Sequence, residues 1–68
     1  MKSVGYESKS KILETEFQSG EVYQYLDVPE IVHKRLLRAE SKGQYFNGEI
    51  RDDYEFVRVG ARRRTTFR

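Results

Sequence analysis

The sequence predicts an α+β domain: a three-stranded antiparallel meander, with a candidate fourth edge strand, packed against one helix plus a short second helical turn. Short alternating segments separated by turn residues fill the first part of the 68-residue chain. A helix-start signal and an apolar stripe at helical spacing follow them. Five Tyr and four Phe supply the bulk of one small core.

Val4 and Tyr6 flank Gly5 and read as a short first strand. Glu7-Ser8-Lys9-Ser10 is polar and reads as a turn. Leu13, Thr15 and Phe17 then alternate with Ile12, Glu14 and Glu16, the pattern of a half-buried strand with glutamates facing water. Ser19-Gly20 supplies the next turn, because Gly accepts positive φ. Val22-Tyr23-Gln24-Tyr25-Leu26 is aromatic and apolar and reads as the third strand. Short turns between consecutive strands imply antiparallel pairing.

Asp27, Pro29 and Glu30 form a helix start, with Asp27 as cap and Glu30 completing a capping box. Val28, Val32, Leu36 and Ala39 recur along one helical face, and Gly43 fits the position just past the helix end. Leu37 lies away from that stripe, which predicts a covering element. Residues 44–50, with Tyr45, Phe46 and Ile50, are the candidate, read as a short helical turn folding back over the first helix and ended by Asn47-Gly48. Residues 54–59 are the candidate edge strand. The expected organisation is a single domain over residues 1–59 and a basic, disordered tail over 60–68.

Composition narrows the chemistry. A domain of this size buries only about 60% of its unfolded surface, so its stability is slender. With no cysteine and one histidine, His33, no disulfide or transition-metal site is expected. No apolar run approaches the roughly 18 residues that span a membrane, and Met1-Lys2-Ser3-Val4-Gly5 has no apolar signal region. A cytoplasmic location is the expectation. Charge is unevenly placed. Arg58, Arg62, Arg63, Arg64 and Arg68 accompany no acid in residues 58–68, whereas residues 1–57 carry eight basic and eleven acidic side chains. No nucleophile–base set, glycine-rich phosphate loop or calcium loop is visible. A non-enzymatic binding role without cofactor is therefore expected.

Val4-Gly5-Tyr6, Tyr23-x-Tyr25, Val28-Pro29 and Ser41-Lys42-Gly43-x-Tyr45-Phe46-Asn47-x-x-Ile50-Arg51 together resemble the KTSC domain. That family occurs at the C-terminus of some lysyl-tRNA synthetases and as small stand-alone bacterial and phage proteins. The resemblance covers roughly residues 3–54. It implies a small α+β domain without an established biochemical function, for which the synthetase context suggests RNA. Tyr23, Tyr25, Tyr45, Phe46 and Asn47 fall on the family motif and read as structural. The N-terminus is a few residues shorter than in typical members, which implies a weaker first strand. The arginine-rich extension after about Tyr54 lies outside the family pattern.

Two partner classes stay open. Lys34, Arg38 and Lys42 at i, i+4 and i+8, with Arg35 beside them, make a basic ridge that suits a phosphate backbone. The same residues also fit an ordinary solvated helix face. Arg51 and the tail residues Arg62, Arg63 and Arg64 extend the candidate nucleic-acid set, whose ligand would be tRNA or single-stranded RNA. Tyr23 and Tyr25 share a strand face; burial under the helix is expected, leaving base stacking as the other reading. The opposite sheet face, around Ile12, Val22 and Leu26, would instead suit another protein. Arg51, Asp52 and Asp53 are expected to face solvent, with Arg51 fixing the second turn and Asn47 bonding local backbone. His33 reads as an exposed helix residue.

Overall fold

The computed structural model describes residues 1–61. Its elements are β1 (Ser3–Glu7), β2 (Ile12–Glu16), β3 (Glu21–Tyr25), α1 (Glu30–Arg38), α2 (Lys42–Glu49) and β4 (Phe56–Ala61). The strands form one antiparallel sheet in the order β1-β2-β3-β4. Both helices pack on one face, giving the expected α+β architecture with the fourth strand at the edge.

Register explains which side chains reach the core. Val4 pairs with Thr15 and Tyr6 with Leu13, while Thr15 pairs with Tyr23 and Leu13 with Tyr25. Paired residues share a face, so these six side chains point toward the helices. Leu13 and Tyr25 meet Val28, Leu36, Phe46 and Ile50 in the buried cluster, with Met1, Val4, Tyr6, Phe17, Tyr23 and Val32 packed around it. β1 pairs with β2 along its whole length, so it is a full partner in the sheet and not the weakened strand expected. Gly20, at φ +93, closes the β2–β3 turn while its N–H donates to the Phe17 carbonyl at 2.9 Å.

The first helix differs from expectation at both ends. Asp27 is not a cap: it adopts φ +57 and turns the chain so that buried Val28 enters the core. Pro29 occupies the cap position, with no side-chain cap bond, and Glu30 begins the helix. At the other end Ala39 leaves the helix with ψ 142, and Ser41 starts α2, its hydroxyl accepting from the Gln44 N–H at 3.2 Å. Ser41-Lys42-Gly43-Gln44 is itself a Ser-x-x-Gln start signal. That signal was hidden inside what read as the end of one helix. Gly43, Asn47 and Gly48 consequently lie within α2 and terminate nothing.

α2 does not fold over Leu37, which stays 48% exposed. Its buried residue is Phe46, which lies against Phe17 and Tyr25 and shares the buried cluster with Leu36 of α1, so α2 packs on the first helix as expected but along the Leu36 side and not over Leu37. His33 is half-buried and stacks on Tyr6, with ring centroids 4.8 Å apart. β4 continues through Gly60 and Ala61, opposite Val22 and Glu21, two residues past the expected end of the strand. A register irregularity between Val22 and Tyr23 lets it do so. Arg62, Arg63, Arg64 and Arg68 lie outside the described residues.

Candidate functional site

The helices cover the sheet unevenly. α1 stands over β1, through the Tyr6–His33 stack, and α2 stands over β2 and β3, through Phe46. The side of β4 that faces the helices is left beside an open groove of about 500 Å³ between the sheet and the C-terminal end of α2. Its wall is aromatic. Phe17 meets Tyr23, Tyr23 meets Phe56, Phe56 meets Tyr25, Tyr25 meets Phe46, and Phe46 returns to Phe17. The centroid separations of this closed circuit run from 5.2 to 5.7 Å.

The two central tyrosines therefore part company. Tyr25 is buried at 3% exposure, as the expected sandwich requires, whereas Tyr23 is only half-buried and forms part of the groove wall. Burial pushes the Tyr25 phenol above its ordinary pKa of 10.0; Arg51 opposes that shift, while Tyr23 and Asp52 add to it. Phe56 pairs with Tyr25 across the strands but remains 48% exposed. The aromatic pattern of β3 was legible in the sequence. The contribution of Phe56 was not, because only the β3–β4 register carries it to the same place.

The polar rim comes mainly from the end of α2. Asn47, Arg51 and Asp52 line the groove, and all three are exposed. None of their side chains makes a hydrogen bond or ion pair among the described residues. Contrary to expectation, the Arg51 side chain makes no bond that would fix the second turn, and the Asn47 side chain does not bond local backbone. The turn after α2 is instead closed by backbone, with the Ile50 and Arg51 N–H groups both donating to the Phe46 carbonyl. Glu21 lines the other end of the groove and is held by Arg58 at 3.2 Å.

The basic residues are divided between two places. Lys34, Arg35 and Arg38 are exposed on α1, and Lys42 opens α2, so the ridge is broken at Ala39 and is not one continuous helix face. None of these four lines the groove; Arg51 alone among the described candidates does. Tyr45 and Phe46 pack in and around the core. On the opposite sheet face Val22 is 2% exposed and Ile12 and Leu26 are half-buried, while Val57, the partner of Gln24 across the strands, is 46% exposed. The exposed large apolar side chains among the described residues are Ile31 and Leu37 on α1 and Phe56, Val57 and Val59 on β4.

Among the described residues no group of His, Cys, Asp or Glu is placed to hold a metal, and no helix is long and apolar enough to cross a membrane. A four-stranded antiparallel sheet carrying two helices on one face, with an aromatic groove beside the edge strand, defines a small α+β domain. The chain belongs to the KTSC domain family, whose model matches residues 1–54. It is 47% identical over 60 residues to an uncharacterized protein of Stutzerimonas stutzeri, covering 87% of this chain and 84% of that one. It is 45% identical over 59 residues to a lysine–tRNA ligase of Nostoc punctiforme, covering 87% of this chain but 10% of the ligase. The chain thus spans about a tenth of such ligases and matches the stand-alone protein nearly end to end. The crystal structure of a KTSC domain protein from Yersinia pestis superposes with a TM-score of 0.83 at 38% identity, covering 85% of this chain and 82% of that one.

Proposed function

We propose that the chain is a non-enzymatic, cytoplasmic RNA-binding domain that holds phosphates on the outer face of α1 and at the two ends of α2. One observation carries the reading. Lys34, Arg35, Arg38, Lys42 and Arg51 are exposed, and none is in an ion pair among the described residues. Lys2 and Arg58, by contrast, are engaged by Glu16 and Glu21. Cations tied to carboxylates serve the sheet; clustered unpaired ones are available to a polyanion. The occurrence of relatives within proteins named lysine–tRNA ligase supports the same partner class. Arg62, Arg63 and Arg64 would add sequence-independent affinity.

Labelled tRNA and single-stranded RNA, titrated at two salt concentrations, test the proposal. About four neutralised phosphates give a slope of log K against log salt of roughly −3 on a single strand. Charge reversal at Lys34, Arg35 and Arg38 together makes that slope shallower by roughly 2. Absence of binding at low salt overturns the reading.

A second reading is favoured by β4. Val57 and Val59 are half-exposed on an edge strand, a place where another chain can add a strand. A protein partner recovered regardless of nuclease treatment, and lost on Val57→Lys, would support it.

A further inference from the structure

We infer that the aromatic groove is a stacking site for one unpaired nucleobase, with Arg51 taking the adjoining phosphate. The inference rests on the RNA-binding reading and adds where a base is received.

Core packing accounts for only part of the aromatic circuit. Tyr25 and Phe46 are core residues at 3% exposure each. Tyr23 is half-buried and Phe56 is 48% exposed, yet each ring lies against Tyr25 or Phe17. Together they offer flat apolar surface at the mouth of a groove of about 500 Å³. That size is within the range of roughly 300–1,000 Å³ that holds small organic ligands, and far above what one ion or water fills. Nucleobases stack on such rings with little regard to sequence.

The rim decides between a base and other flat or cationic ligands. Glu21 is neutralised by Arg58, which leaves Arg51 and Asp52 as the lining charges without an ion-pair partner among the described residues. Their signs cancel. A cage for an ammonium or guanidinium group would instead need an excess of negative charge around the rings. A base edge requires both donors and acceptors. The Asn47 amide supplies both an NH2 donor and an oxygen acceptor, Asp52 accepts from exocyclic amino or ring imino groups, and Arg51 donates. These side chains are uncommitted among the described residues. Arg51 also belongs to the cation set proposed for phosphates, so a strand could place a base on Phe56 and Tyr23 while its backbone passes Arg51.

The test uses the full 68-residue protein labelled with 15N. AMP, CMP and UMP are titrated in parallel with adenosine and with acetyl-trimethyllysine amide. Saturable shifts concentrated at Tyr23, Asn47, Arg51 and Phe56 are expected with the nucleotides, weaker with adenosine, and absent with the ammonium compound. Phe56→Ala is expected to lower affinity for a single-stranded RNA oligomer about tenfold without altering its salt slope, because stacking releases no counterions. Asn47→Ala, on the exposed side of α2, repeats the test should the strand variant fold poorly. RNA binding at parental affinity in both variants, with no nucleotide shift in the groove, overturns this inference and leaves the RNA reading standing. Shifts with the ammonium compound and not with nucleotides overturn it also. Failure to bind any RNA or nucleotide removes both.

Discussion

The ring of Tyr6 lies 4.8 Å from that of His33 and 13° from parallel, so the first strand is stacked directly on the first helix. The Tyr6 hydroxyl donates to the Val28 carbonyl at 2.6 Å, which ties the same strand to the segment entering the helix. Burial raises the Tyr6 pKa, with Glu30 and Glu7 adding to the effect, so the phenol keeps its donor proton through the physiological range. His33→Ala removes the stack and is expected to lower the melting temperature by roughly 5 °C. His33→Phe keeps a ring in place and should recover most of the loss. Thermal denaturation of the two variants checks this, and equal melting temperatures would show that the stack contributes nothing.

Thr15 is fully buried between β1 and β3, and its hydroxyl has no hydrogen-bond partner among the described residues. A buried polar group without a partner costs about 1–3 kcal/mol. Thr15→Val keeps the shape and the strand preference while removing the hydroxyl. It is expected to raise unfolding free energy by about 1 kcal/mol, seen as a higher urea midpoint with an unchanged m-value. A lower midpoint would mean that the hydroxyl is satisfied in solution.

Tyr25 sets an alkaline limit. Its folded-state pKa is above the ordinary 10.0, mainly through burial. The unfolded chain therefore loses the phenolic proton first, and above about pH 10 it binds fewer protons than the native state. The contribution is intact below that pH and is lost as pH rises toward the folded value. Urea midpoints measured at pH 8 and pH 10.5 should fall in the parent and fall less in Tyr25→Phe. Identical declines would assign the alkaline loss to other groups.

Leu36 and Leu37 are neighbours with opposite fates. Leu36 is fully buried in the cluster, whereas Leu37 is 48% exposed. Leu36→Ala is expected to cost about 2–5 kcal/mol, enough to unfold much of so small a domain. Leu37→Ala should change stability by no more than about 0.5 kcal/mol. Circular dichroism melts distinguish them; a large loss at Leu37 would mean that its side chain is covered in solution.

What the sequence by itself determined is the local part of this protein. Alternation in β2 and β3 assigns Leu13, Thr15, Tyr23 and Tyr25 to one face, and that pattern survives because pairing register preserves it. The stripe through Val32 and Leu36 locates α1 by the same logic. Tertiary structure decided the rest, because those features depend on contacts between distant residues. Whether residues 39–43 continue one helix or begin another turned on Phe46 finding Phe17 and Tyr25, which draws α2 onto the sheet and leaves Leu37 bare. The groove exists only because β4 brings Phe56 beside Tyr23 and Tyr25 from more than thirty positions away. Periodicity reads one element at a time and carries no information about which rings meet across the sheet.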